Sequence, residues 1–104
     1  MNFVERRTPA GVLTDIRVQH ISIDNLLALL TRLPNLTVVS VAKSWPAPNN
    51  EAARIQIGRF EFLIETSFAD MFISPTVTGI PTEVFEALAD HLREAKEKYL
   101  DSVP

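Results

Sequence analysis

His20, Ser22 and Asp24 bring an imidazole, a hydroxyl and a carboxylate together within one short stretch, the side-chain types used in nucleophilic acyl transfer. The same three residues also have a complete structural account. Ser22 precedes an apolar run, where its hydroxyl can accept a bond from an unpaired first-turn amide. Asp24 then meets the positive end of the helix dipole, and His20 is a polar residue at the end of a strand. That account needs no substrate, so no catalytic residue is assigned here. His91, with Glu94 one helical turn further on, is the only other imidazole, which rules out a three-histidine metal site. It is read as a half-exposed histidine at the border of a buried helical stripe. Gly11, Gly58 and Gly79 are isolated and form neither a dinucleotide fingerprint nor a phosphate-cradling loop. No G-x-S-x-G elbow occurs. The absence of cysteine removes thiol nucleophiles, disulfides and thiolate metal sites. A non-catalytic chain without cofactor or metal is expected.

Carboxylates are the remaining chemistry. Glu61 and Glu65 fall on the polar side of a proposed hairpin, where Arg54 and Arg59 supply solvated partners. The acids of the last helix are arranged differently. Glu83, Glu86, Asp90, Glu94, Glu97 and Asp101 step by three or four residues and form a narrow ridge almost opposite the Leu88/Leu92 stripe. Lys98 can relieve Glu94, and Arg93 can relieve Glu97 or Asp90, so compensation is partial. The ridge is a steering surface for a basic protein partner, or else a solvated outer face. Trp45, the single tryptophan, enters a segment stiffened by Pro46 and Pro48; it is either an interface anchor or a lid on the core.

Charge narrows the partner class. The net charge is −3, against the basic face that nucleic-acid binding requires. Residues 1–60 carry seven Lys/Arg against four Asp/Glu, and residues 61–104 carry three against nine, so the acid is concentrated toward the C-terminal part. Absence of cysteine fits a reducing cytoplasm. The opening residues lack the apolar stretch of a secretory signal, and the most apolar window, 21–33, is interrupted by Asp24 and Arg32 and too short for a bilayer. The expected function is therefore a soluble cytoplasmic interaction domain. It would bind a basic protein through Glu83, Glu86, Asp90, Glu94, Glu97, Asp101 and Trp45, with neither nucleic acid nor membrane as partner. Two alternatives remain open. One is an apolar-ligand pocket under a sheet lined by Ile55, Ile57, Phe60, Phe62 and Ile64. The other is a homodimer formed through unpaired strand edges or opposite charges.

These side chains need a scaffold, and 104 residues fit one domain. Residues 1–10 read as a flexible arm closed by Pro9 and Gly11, and 11–104 as a single α+β domain. From Val12 to Val18 polar and apolar residues alternate as in a strand, with Val12, Thr14, Ile16 and Val18 on one side. Ile23, Leu26, Leu27, Leu30 and Leu33 form a helical stripe stopped by Pro34. Residues 36–43 are apolar on both faces, which predicts a central strand. Strand, helix and strand in this order predict a parallel pair. Gly58-Arg59 reads as a two-residue turn that sets Ile57 opposite Phe60, Ile55 opposite Phe62 and Ala53 opposite Ile64, the alternative being a continuous bulged strand through Gly58. A strand over 71–77 follows, and then a helix from Pro81 whose inner stripe is Val84, Leu88, Leu92, Ala95 and Tyr99, with Phe85 beside it. The expected architecture is a two-layer sandwich, β-α-β-β-β-β-α: a mixed sheet of about five strands with both helices on one face.

Overall fold

A computed structural model of the chain describes residues 1–42, 51–67 and 70–102. Trp45 and the segment around it lie outside the described residues, as do the side chains of Tyr99 and Asp101. The fold is α+β. Its elements are β1 (Asn2–Arg7), β2 (Leu13–Gln19), α1 (Ile23–Leu30), β3 (Leu36–Ala42), β4 (Ala52–Ile57), β5 (Phe60–Ser67), β6 (Asp70–Pro75) and α2 (Thr82–Ser102). The six strands form one sheet in the order β1-β2-β6-β5-β4-β3, and every neighbouring pair is antiparallel.

This order corrects the expected mixed sheet. Strands β3 to β6 pair consecutively as a meander, the cheapest topology because each closure is local. The β1–β2 hairpin then docks against β6, with Ile16 opposite Ile73 and Val18 opposite Met71. β2 and β3 do run the same way, but β6, β5 and β4 lie between them, so α1 carries the chain from one part of the sheet to its far edge. The strand count rises to six because residues 2–7, expected to be part of an arm, form β1. Pro9 and Gly11 are the turn of a hairpin, with Gly11 at φ +87° and its amide donating to the Thr8 carbonyl at 2.8 Å. Phe3 then packs against the core, which a free arm would leave in water.

The clearest expectation of the reading holds in full. Gly58 has φ +60°, and Ile57, Ile55 and Ala53 lie opposite Phe60, Phe62 and Ile64. β3 is different. Its two apolar faces pointed to a central strand, yet it is an edge, with Val39 50% and Val41 43% exposed. The register slips between Val38 and Ser40, a bulge that sets two residues opposite Arg54. A second slip, between Arg6 and Arg7 of β1, places Arg7 opposite Leu13 while Arg6 faces Asp15, leaving Thr14 as the extra residue of β2. The Thr14 hydroxyl donates to the Arg6 carbonyl at 2.9 Å. The bulge inverts the alternation beyond it: Leu13 is buried at 5% exposure and Val12 is 43% exposed.

Both helices follow from their ends and stripes. Ser22 caps α1 by accepting the Asn25 amide at 3.2 Å, a contact of a type whose loss costs about 0.5–2 kcal/mol. Ile23, Leu26, Leu27 and Leu30 are all buried. Among the described side chains of α2 the buried ones are Phe85, Leu88, Ala89 and Leu92, with Val84 only partly buried. The inner face is thus turned toward Phe85, whose ring centroid lies 5.1 Å from that of Phe62. These residues, the α1 stripe and Ile16, Val18, Ile55, Phe62, Ile64 and Ile73 form one core. Each large side chain buried in it contributes about 1.5–3 kcal/mol.

Candidate interaction face of the C-terminal helix

Strand β1 runs beside α2, and the sequence places its charges on the side that faces the helix. In a strand alternate residues share a side, and Phe3, Glu5 and Arg7 lie opposite the inward-facing Val18, Ile16 and Leu13. Each of the three meets α2. Arg7 donates to Glu86, its Nη2–Oε2 separation being 3.0 Å, and also to Glu5 at 2.7 Å. Arg93 Nε donates to Glu5 Oε2 at 3.1 Å, and Arg93 also pairs with Asp90. The Lys96 ammonium stands 5.6 Å from the centre of the Phe3 ring, within range of a cation–π contact.

These pairs divide the acidic ridge in two. Glu86 and Asp90 are held by Arg7 and Arg93. Glu83, Glu94 and Glu97 are exposed, and no described cation forms an ion pair with them. The expected Lys98–Glu94 pair is not formed, and Arg93 serves Asp90 and Glu5 rather than Glu97. Signals for this division were present in the sequence: Glu5 and Arg7 have the period of a strand. They went unused because residues 1–10 read as an arm.

The pairs also shift the acids. Partial burial pushes Glu5 up, but hydrogen bonds from Arg93 and Arg7 and the charges of both outweigh it, leaving Glu5 below the ordinary 4.5. The Arg7 hydrogen bond draws Glu86 below 4.5 against a smaller desolvation effect, and Arg7 itself is raised by Glu86 and Glu5. Carboxylates lowered by folding contribute stability that is complete above 4.5 and lost as pH falls through their folded values. Urea midpoints measured between about pH 5 and about pH 3 should therefore fall less steeply in an Arg7→Gln/Arg93→Gln variant than in the parent chain. Equal slopes would show that the pairs contribute nothing at neutral pH.

Beside the ridge, α2 and the segment following α1 enclose an open cleft of about 480 Å³. Leu33, Pro34, Ala87 and Ala95 supply its apolar surface, and Asp90, Glu94, His91, Arg32 and Lys98 its polar one. His91 is committed to the fold. Its Nε2 lies 2.7 Å from the Leu29 carbonyl, and since a carbonyl only accepts, that nitrogen carries the proton. His20 is exposed in the left-handed region at φ +61°, while the Ser22 oxygen is occupied by the α1 cap. Among the described residues no three His, Asp or Glu side chains converge as metal ligands would. No helix among them is long and apolar enough to cross a membrane. Comparison with family models, curated proteins and solved structures finds no match to this chain.

Proposed function

We propose that this chain is a non-catalytic interaction domain that binds a basic protein segment along the outer face of α2. Glu94, together with Glu83 and Glu97, receives the partner's cations, Asp90 being engaged by Arg93, and the neighbouring apolar surface receives its aliphatic side chains. Asp101 would extend the ridge and Trp45 would add an aromatic anchor. Glu86 acts indirectly, by fixing α2 against β1. The observation that carries the reading is that Glu94, exposed and in no ion pair with a described cation, borders the cleft floored by Leu33, Pro34, Ala87 and Ala95, whose rim also carries Arg32 and Lys98. The reading assumes two layers, both helices on one sheet face, which the shared core supports. The cysteine-free composition suits a cytoplasmic setting.

A fluorescent peptide alternating arginine and leucine is the direct probe. Its affinity should fall as salt rises, and by about tenfold or more in Glu94→Lys/Glu97→Lys. Glu86→Lys and Asp90→Lys are unsuitable here because they also break the Arg7 and Arg93 pairs. Affinity indifferent to both salt and charge reversal would reject the reading.

A second reading, an apolar ligand site, is favoured by another cleft. Between sheet and helices, Ile55, Phe62 and Ile64 have no exposed surface and fill the core instead of lining a cavity. An open cleft of about 440 Å³ lies instead between the start of β2 and the β6–α2 connection, and among the described residues no charged side chain lines it. Thermal stabilisation by one series of apolar compounds, unchanged by salt, would support this reading over the first.

A further inference from the structure

The sheet has two edges, and they are built differently. β1 carries Glu5, Arg6 and Arg7, each in an ion pair with Asp15, Glu86, Arg93 or one another. Charges on an edge strand discourage pairing with another chain. β3, Leu-Thr-Val-Val-Ser-Val-Ala, contains no charged residue and no proline. Its exposed valines lie on both sides of the sheet. Val41 is opposite Ala53, an inward-facing residue, whereas the bulged Val39 shares its place opposite Arg54 with Ser40 on the outer side. The bulge twists the strand locally, and among the described residues it is the one edge-guarding device β3 has.

We infer that β3 is a self-association edge, pairing antiparallel with β3 of a second copy of this chain. Charge decides the occupant. A two-fold interface sets each residue against the same patch of its partner, so a charged strand meets its own charges. β3 has none, and its self-pairing carries no like-charge cost. The two strands satisfy each other's unpaired backbone groups, and a strand laid alongside covers Val39 and Val41 together. A basic or acidic segment would find no counter-charge on β3. The inference concerns the edge opposite β1 and is independent of binding at α2.

Sedimentation equilibrium of the full chain, from low to high micromolar concentration, tests it. The weight-average mass should rise toward twice the 11.6 kDa of the monomer. Val39→Lys/Val41→Lys should weaken association by about tenfold or more, because lysines then oppose lysines. Val4→Lys, an exposed site on β1, should leave it unchanged. A chain that stays monomeric throughout overturns the inference, as does a dimer lost equally in Val4→Lys or retained in the Val39/Val41 variant. If the lysine pair unfolds the chain, amide exchange in the parent decides. Protection of residues 36–42 that grows with concentration supports the β3 pairing, and protection that does not grow overturns it.

Discussion

Phe62→Ala should lower stability by about 3–5 kcal/mol, the range for removing a large aromatic side chain from a closed core. Phe62 has no exposed surface, lies opposite Ile55 and touches the Phe85 ring of α2. It therefore joins the middle of the sheet to the first turns of the helix. The loss would take a large part of the roughly 5–15 kcal/mol that holds a typical domain. Urea unfolding provides the measurement, with a lower midpoint and an unchanged m-value. Leu63 is the internal control. It lies opposite Arg54 on the other side of β5 and is only partly buried, so Leu63→Ala should cost about 1 kcal/mol. Equal losses at the two positions would mean that β5 does not present these faces.

The second large effect is a reversal between neighbours. Leu13→Asp should cost about 3 kcal/mol or more, because it removes a buried aliphatic side chain and buries a carboxylate beside a cation, Arg7, that Glu5 and Glu86 already hold. Val12→Asp should change stability by less than about 1 kcal/mol, since Val12 already meets water. Uninterrupted alternation from Val18 through Ile16 and Thr14 predicts the opposite order, with Val12 inside. The extra residue at Thr14 separates the two predictions. Purifying both variants and comparing their thermal midpoints is sufficient. A more damaging Val12→Asp would show that β2 is regular.

How much of this was legible in the residues depended on range. The β4–β5 hairpin was readable to the individual pair because one glycine turn and two alternating strands constrain each other over a short stretch. The α1 cap and stripe were readable for the same reason. Strand order was not. Pairing of β2 with β6 is a contest among distant segments, and Val-rich residues 36–42 resemble a central strand whichever place they take. Bulges were also hidden, since Thr14 and Val39 are unremarkable residue types whose role emerges only from the opposing strand. At the candidate site, the six acids of α2 were identified but their inequality was not. What distinguishes Glu86 from Glu94 is Arg7, seventy-nine positions before Glu86.

The β1–α2 contact has a kinetic consequence. Glu5 and Arg93 are 88 positions apart, and Gln19 bonds Asp70 across 51. A nascent chain can zip β3 to β6 as each strand emerges from the ribosome, whereas the β1–β2 hairpin must wait for β6 and then for α2. Until synthesis reaches the helix, Phe3, Ile16 and Val18 lack the Phe85, Leu88 and Leu92 side of their core, and that interval leaves apolar surface open to aggregation.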